Sequence, residues 1–247
     1  MKENRFFEHT QELDVEKLRN EAEELFLELK ELPAVKRLLD RIDAGLKEKY
    51  PDCAKQFSEV LPYHGRHHTE DVMKESLFFA LADKSISRHD MEILAVSAAS
   101  HDSGFIKQYD ANEPIGAGML DEEMKSEGYS AEDIKKGKDA VLSTRVTFTP
   151  GFKQTIEGDD LVAKILADAD VSNFGREDYF EKGDAVYQEL VAIGKIPEDS
   201  PENRRKFDEF SLNMLKTHEW NTEVAKHLRN GQKEKNIEIL EKKLSQG

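Results

Sequence analysis

The chain has 247 residues, enough for one large domain or two small ones with a full hydrophobic core. Its formal net charge of −15 argues against nucleic acid as a partner, because polyanion binding depends on basic patches that displace counterions. No stretch approaches the ~18 uninterrupted apolar residues of a membrane span, and residues 1–5 do not begin a signal peptide. The single cysteine, Cys53, excludes an intrachain disulfide and fits a reducing compartment, so we expect a cytoplasmic location.

Two short basic clusters interrupt this acidic background, at residues 135–138 and 204–206. Both are interleaved with acidic residues, which is typical of a solvated helix face rather than of a nucleic-acid groove. A small anionic substrate is still allowed, because a bound metal ion supplies positive charge where it is needed.

The first half of the chain predicts a series of helices. Apolar residues recur at helical spacing from Leu13 to Leu29, and Pro33 separates this helix from a second one that continues to Leu46. A further helix is predicted from Arg66 to Leu81. Ser87 is the expected N-cap of the next helix, which ends at His101-Asp102. That helix is apolar on nearly all sides, so we expect it at the centre of a bundle.

The second half continues the helical pattern. Glu113-Pro114 begins one helix, and residues 130–133 form a helix N-terminal signature with acidic residues in the first turn. The β-branched and aromatic stretch Thr144–Phe152 contains Pro150-Gly151 and is predicted to be irregular rather than a paired strand. Four more helices are predicted over Asp159–Ala169, Arg176–Ile193, Pro201–Arg229 and Lys233–Leu244. The fold class is therefore all-α: one domain over 1–247, with a metal-binding core at about 61–175 and flanking helices at 1–60 and 176–247.

The most informative feature is an ordered set of histidines and aspartates on apolar segments. His68 lies near the start of one predicted helix, His101-Asp102 at the end of a second, and Asp170 at the end of a third. Two neutral imidazoles and two carboxylates suit a divalent ion with positions left for water and substrate. Polar residues that interrupt core helices would be unfavourable to bury without partners, and a metal ion would satisfy all of them together.

Helical geometry separates the neighbouring histidines of the first segment. His64 and His68 share a face if the helix begins early, because residues four apart are neighbours. His67 points about 100° away from His68, so only one of this pair can lead inward. The other histidines, His9, His89, His218 and His227, are interpreted as structural, hydrogen-bonded residues. Asp168 lies near a helix end, where an aspartate is often a cap.

These residues resemble the four-ligand signature of the HD superfamily of metal-dependent phosphohydrolases, which has an all-α fold. The resemblance covers roughly residues 61–175 and implies that His68, His101, Asp102 and Asp170 bind the metal. The segment Tyr63–Val72 is also similar to the Tyr-His-x-x-x-His-x-x-x-Val motif of the cyclic-nucleotide phosphodiesterase branch. That similarity implies that His64 donates a proton to the leaving oxygen.

The sequence also departs from the better-known branches. Ser103-Gly104-Phe105 follows His101-Asp102, so the extra histidine of two-metal phosphodiesterases is missing, as is the Gly-Tyr-Pro signature of the cyclic-dinucleotide branch. Asn112 stands before Glu113, where some two-metal members have a histidine. We therefore expect one divalent ion, with Mn, Fe, Ni, Zn, Co and Mg not distinguished, and a second weakly held ion remains open.

The predicted function is hydrolysis of a small phosphate ester, such as a nucleotide or a related monoester or diester, by metal-activated water. Asp102 would orient or deprotonate the water, and His64 would protonate the departing alkoxide. Arg66 and Lys107 are weaker candidates for contacting phosphate, and Asp168 for holding a ligand imidazole. A regulatory module that binds metal or ligand without turnover, and a purely structural metal site, are the alternatives. The sequence leaves the oligomeric state open.

Overall fold

Helices account for nearly all of the regular structure. A computed structural model describes residues 13–58, 60–156 and 159–246. Within these ranges the α-helices are α1 Val15–Leu29, α2 Pro33–Lys49, α3 Cys53–Gln56, α4 Arg66–Asp83, α5 Arg88–Ser100, α6 Glu113–Ser126, α7 Ala131–Ser143, α8 Leu161–Asp170, α9 Tyr179–Ala192, α10 Pro201–Thr217 and α11 Glu223–Gln246. Two short 3-10 turns lie at Ser103–Ile106 and Ser172–Gly175. The all-α prediction is confirmed, and none of the described helices is both long and apolar enough to cross a membrane.

Local signals place several helix starts where the sequence predicts them. The Ser87 side chain accepts a hydrogen bond from the backbone N–H of Asp90, which caps α5. Ser130 and Asp133 form a reciprocal capping box at the start of α7. Pro33 occupies the first turn of α2, where its missing N–H has no intrahelical partner to lose.

Three predictions about the second half are wrong. The stretch predicted to be irregular contributes β1 (Val146–Thr147), which pairs with β2 (Lys153–Gln154) in an antiparallel hairpin. The Gln154 side-chain amide of this hairpin donates to the Ala167 carbonyl, which holds the hairpin against α8. The helix predicted to continue through residues 218–222 ends at Thr217, and the break predicted after Arg229 lies inside α11.

Helix α5 occupies the centre of the bundle, as predicted. Its residues from Ile93 to Ala99 are fully buried, and it packs against α2, α4, α7 and α8. The largest apolar cluster includes Phe26 of α1, Leu94 of α5, Leu166 of α8 and Ala225 of α11. The flanking helices α1, α2 and α11 thus share one hydrophobic core with the predicted metal-binding segment.

The two basic clusters are neutralised by carboxylates on the surface. Lys135, Lys136 and Lys138 pair with Asp139, Asp90 and Asp121. Arg204 pairs with Asp184 and Asp199, Arg205 with Glu209, and Lys206 with Glu202. These pairs fit the interpretation of both clusters as solvated helix faces.

Candidate metal centre

Three helices deliver the predicted ligands to one point. His68 lies in the first turn of α4, His101 caps the C-terminus of α5 with Asp102 directly after it, and Asp170 is the last residue of α8. His68 and His101 are buried, while the side chains of Asp102 and Asp170 are 12% and 17% exposed. The centre is therefore closed on the imidazole side and reaches solvent past the carboxylates.

The donor atoms lie at the separations expected of neighbouring metal ligands. Nε2 of His68 lies 3.5 Å from Oδ2 of Asp102 and 3.4 Å from Oδ1 of Asp170. Nε2 of His101 lies 3.2 Å and 3.4 Å from the same two oxygens. Ligand atoms each about 2.1 Å from one ion are about 3.0–3.4 Å apart at adjacent positions. His68, His101 and Asp102 in particular form a group of donors that could hold a metal ion.

Three of these donors are buried polar atoms without a hydrogen bond in the described part of the chain: Nε2 of His68, Nε2 of His101 and Oδ2 of Asp102. Buried polar atoms are almost always satisfied, because each one left unpaired is unfavourable. Their convergence on one point means that the same missing partner would satisfy all three. The residues present therefore fit a divalent cation.

The backbone fixes which nitrogen of His101 faces this point. Nδ1 of His101 lies 2.7 Å from the Ala98 carbonyl oxygen, and since a carbonyl only accepts, Nδ1 carries the proton. Nε2 of a neutral ring is then an unprotonated lone pair directed at the carboxylates. Metal-ligating histidines are commonly oriented in this way by a bond from the other ring nitrogen.

Close packing behind the pair is made possible by Gly104. A β-carbon at Gly104 would lie 2.0 Å from the Asn112 carbonyl oxygen, so a larger residue would push α6 away. The Ser103-Gly104 step both ends α5 after His101-Asp102 and lets the start of α6 pack against that turn. The local sequence thus fixes the direction of the two central ligands.

The charges of the cluster are matched. Burial lowers the pKa of His101, but the adjacent Asp102 and Asp170 carboxylates outweigh this effect and raise it well above its ordinary value. Burial raises the pKa of Asp102, and attraction to His101 reverses the shift, so that the pKa ends below its ordinary value. For Asp170 burial again raises the pKa, while contacts with His101 and His68 bring it below the usual range. Carboxylates that attract protons to imidazoles in this way would equally attract a cation, which displaces those protons when it binds.

His64 lies near the centre, but it is not on the helix face that was predicted for it. Helix α4 begins at Arg66 with Gly65 as its N-cap, so His64 precedes the helix rather than sharing a face with His68. Its ring nevertheless lies 5.8 Å from the His68 ring, between centroids. The pair His67 and His68 behaves as predicted, since His68 alone of the two belongs to the donor group.

A buried carboxylate that the sequence analysis did not single out holds His64. Oε1 of Glu189, from α9, lies 2.5 Å from Nδ1 of His64, and Oε2 accepts the backbone N–H groups of Tyr63 and His64, both at 2.9 Å. Tyr109 adds a fourth bond from its hydroxyl at 2.8 Å. Glu189 is fully buried, and burial raises its pKa, but attraction to His64 brings it below the ordinary value.

The Glu189 carboxylate sets the charge of His64. Burial lowers the pKa of His64, while the attraction and hydrogen bond of Glu189 raise it, with a net result of about 9. In the metal-free protein His64 is therefore protonated at neutral pH, with Nδ1 committed to Glu189. An imidazolium held in this way beside a group of metal donors can act as a proton donor.

Two oxygens at the start of α6 are also unsatisfied. Oδ1 of Asn112 and Oε2 of Glu113 are buried without a hydrogen bond in the described ranges. Burial raises the pKa of Glu113, and the negative charges of Asp102 and Asp170 add to the shift. Glu113 therefore lies within the electrostatic field of the centre, and the second weakly held ion stays a prediction.

Two of the weaker predictions are not supported by the positions of their side chains. The Arg66 guanidinium is engaged by Asp40, Asp43 and Glu70 in a surface network, which leaves it little capacity for phosphate. Asp168 contacts no imidazole among the described residues and accepts four hydrogen bonds from Asn221 and Thr222 instead.

Lys107 is exposed at the end of the 3-10 turn after Asp102, so its contact with phosphate stays a prediction.

Three of the histidines interpreted as structural lie apart from the donor group. His89 pairs with Asp133 on the surface, at 2.8 Å from Nε2 to the carboxylate. His218 is buried and bonded to Lys233, and His227 is exposed on α11. His9 lies outside the described residues.

Comparison with known proteins adds no assignment. No protein-family model matches the chain, and no curated protein matches its sequence.

Proposed function

We propose that this protein is a metal-dependent phosphohydrolase of the HD type that cleaves a small phosphate ester, such as a nucleotide or a related monoester or diester. The observation that carries the proposal is the joint placement of two groups. A set of unsatisfied metal donors lies beside an imidazolium, His64, that a buried carboxylate keeps protonated. A metal-binding site alone has no need of the second group, whereas ester cleavage does.

His68, His101, Asp102 and Asp170 would hold one divalent ion. When bound, such an ion lowers the pKa of a coordinated water toward ~7 and polarises a phosphoryl oxygen. The Ala98 carbonyl accepts a hydrogen bond from Nδ1 of His101, and this bond keeps the Nε2 lone pair of His101 directed at the centre.

The protein's own side chains would orient the water and transfer the protons. Asp102 carries a second oxygen besides the donor Oδ2, so it can orient the attacking water or accept its proton. His64 presents Nε2 opposite the Nδ1 that Glu189 holds, and donates its proton from there to the departing alkoxide. His64 takes up a proton from solvent before the next turnover, and Glu189 stabilises the imidazolium that results. Proton donation of this kind contributes about 10²–10⁴-fold to the rate.

Two alternatives from the sequence analysis remain, a regulatory module without turnover and a structural metal site. Structural sites are closed by protein ligands on all sides. Here the two carboxylates are partly exposed, which favours access by substrate. The contact between His64 and the buried Glu189 is a feature that neither alternative explains.

The test is hydrolysis by the metal-loaded protein of phosphomonoesters and phosphodiesters side by side, with nucleotides in both groups. We expect metal-dependent turnover of one class that is lost in His101→Ala and kept in His89→Ala, a matched histidine removal on the surface. Stoichiometric metal binding without turnover of any ester would instead favour the regulatory module.

A further inference from the structure

Helix α11 supplies no candidate ligand, yet it contacts the chain on both sides of Asp170. Asp168, two residues before Asp170, is fully buried, and its carboxylate accepts four hydrogen bonds from the segment that leads into α11. Its Oδ1 accepts from the backbone and side-chain nitrogens of Asn221 at 2.8 and 2.9 Å. Its Oδ2 accepts from the backbone N–H and the hydroxyl of Thr222 at 2.9 and 2.7 Å.

The segment after Asp170 is held by the middle of the same helix. The Asn236 side-chain amide donates to the carbonyls of Phe174 and Arg176 at 3.0 and 2.9 Å. The backbones also approach closely there, since a β-carbon at Gly175 would lie 2.3 Å from the Arg229 carbonyl oxygen. The turn that follows α8 is thus fixed against α11 by hydrogen bonds and by contact.

A third connection reaches the helix that carries His68. The Arg229 guanidinium forms a buried ion pair with Glu75 of α4, whose side chain is 6% exposed. Glu75 lies two turns after His68 in the same helix. One helix therefore links α8 and α4, which bear two of the four donors.

Asp170 needs such support because of its position. It is the last residue of α8, where the backbone carbonyls have no further helical partners and the chain turns into a 3-10 segment. Its direction is set by tertiary contacts rather than by the helix itself. In the described ranges, the hydrogen bonds of Asp168 and Asn236 supply these contacts on either side.

We propose that α11 positions Asp170 for metal binding, with Asp168 and Asn236 as the positioning residues. This inference deepens the proposed metal centre and rests on it. Groups hydrogen-bonded directly to metal ligands typically change metal affinity 10–100-fold when they are removed. Asp168 and Asn236 act on Asp170 through the backbone on either side of it, so we expect an effect at the lower end of that range. Because α11 also stabilises the fold, the experiment must separate a loss of metal affinity from a loss of stability.

The experiment titrates the full-length, metal-free protein with Co²⁺ and follows visible absorption, which reports both affinity and coordination geometry. Asp168→Asn keeps the shape of the side chain but turns an amide group toward the donors of Asn221 and Thr222. We expect Co²⁺ affinity to fall about tenfold or more, with an altered absorption band. Asn236→Ala removes the other anchor and serves as the second variant if Asp168→Asn does not fold.

Leu29→Ala is the control, because Leu29 is a fully buried residue of α1 whose loss weakens the core away from Asp170. If Leu29→Ala is destabilised as much as Asp168→Asn but still binds Co²⁺ as tightly as wild type, the positioning role is supported. Equal weakening in Leu29→Ala, or unchanged binding in both Asp168→Asn and Asn236→Ala, would overturn it. Wild-type protein that binds no Co²⁺ would remove the metal centre itself, and this inference with it.

Discussion

The chain buries imidazoles in two regions, and the charge beside each one differs. At the candidate metal centre His101 faces two carboxylates, and its pKa is raised despite complete burial. Behind the hairpin, His218 packs 4.4 Å from the Trp220 ring, between centroids, and receives a hydrogen bond from Nζ of Lys233 at 3.1 Å. Burial, followed by the positive charge of Lys233, lowers the pKa of His218 to about 3. Burial is common to both, so the neighbouring charge decides which form of the ring is present.

The two regions also differ in what surrounds an unsatisfied imidazole nitrogen. Nε2 of His218 lacks a hydrogen bond in the described part of the chain, as does Nε2 of His101. At the metal centre the unsatisfied atoms converge with carboxylate oxygens, whereas beside His218 the second unsatisfied atom is the indole nitrogen of Trp220, a donor only. A cation therefore fits the first region and not the second.

The largest effect should come from removing one imidazole from each region. We expect His101→Ala to lose most of its bound metal, because three remaining donors bind far more weakly than four and an oriented nitrogen is missing. His218→Ala should keep its metal and lose only stability. Elemental analysis of both purified variants checks this. Metal retained in His101→Ala at the wild-type level would contradict the ligand assignment.

A smaller effect is expected from a variant that removes the positive charge of His64 but keeps its ring. In Glu189→Gln the carboxylate that keeps His64 protonated is gone, so the pKa of His64 should fall from about 9 toward or below its ordinary value. We expect kcat for an alkyl phosphate ester to fall about 10- to 100-fold at pH 8, since a neutral ring cannot donate. The loss should be slight for a nitrophenyl ester, whose leaving group departs without a proton.

Kinetics on the two esters, with metal content measured in parallel, test this. The same loss on both substrates would argue that Glu189 acts on the fold and not on the acid. His64→Ala should reproduce the pattern of Glu189→Gln if the two residues act as one unit.

The smallest effect is a difference in how the two regions respond to pH. The pKa of His64 is raised in the folded state to about 9, so its stabilisation is complete below about pH 6.5 and is lost as the pH rises through 9. Burial lowers the pKa of Lys233 from 10.5 to about 8, so its penalty is largest below pH 8 and is relieved as the pH rises. The two regions therefore contribute opposite slopes above neutrality.

We expect the free energy of unfolding of metal-free Glu189→Gln to fall less than that of wild type between pH 6.5 and 9. Lys233→Met should lose the compensating rise between pH 8 and 10.5. Each pKa departs from its ordinary value by about 2.5 units, and at about 1.4 kcal/mol per unit the full shift corresponds to about 3 kcal/mol. Both groups are partly screened by solvent, so each difference should be on the order of 1–2 kcal/mol. Denaturant titrations at four pH values measure both. Parallel curves for all three proteins would show that neither group is perturbed by folding.

Local features made most of the helices predictable. The cap at Ser87, the capping signature at Ser130 and the proline at position 33 act within one turn, so they are visible in the sequence. The break between α10 and α11 was missed because residues 218–222 contain neither glycine nor proline. The predicted break near Gly231 failed for the converse reason. A β-carbon at Gly231 would meet nothing within 4 Å, and one exposed glycine weakens a helix by only about 1 kcal/mol.

The residues of the candidate site likewise divide into those that local sequence predicts and those that only tertiary packing reveals. The four candidate ligands come from motifs of adjacent or regularly spaced residues, and the structure brings all four together. Glu189 is 125 residues from His64 and carries no motif, so only the packing of α9 against the loop before α4 reveals it. The role proposed for Asp168 failed because sequence distance to Asp170 says nothing about which direction its carboxylate faces.

The hydrogen bonds of Asp168 span 53 and 54 residues, and this separation affects the order of events during synthesis. All four candidate ligands leave the ribosome before Asn221 and Thr222 do. Until those two residues arrive, the carboxylate of Asp168 has no donors, and burying it unpaired is strongly unfavourable. A nascent chain would thus hold a loosely formed binding site, and tight metal capture would wait for α11 to dock.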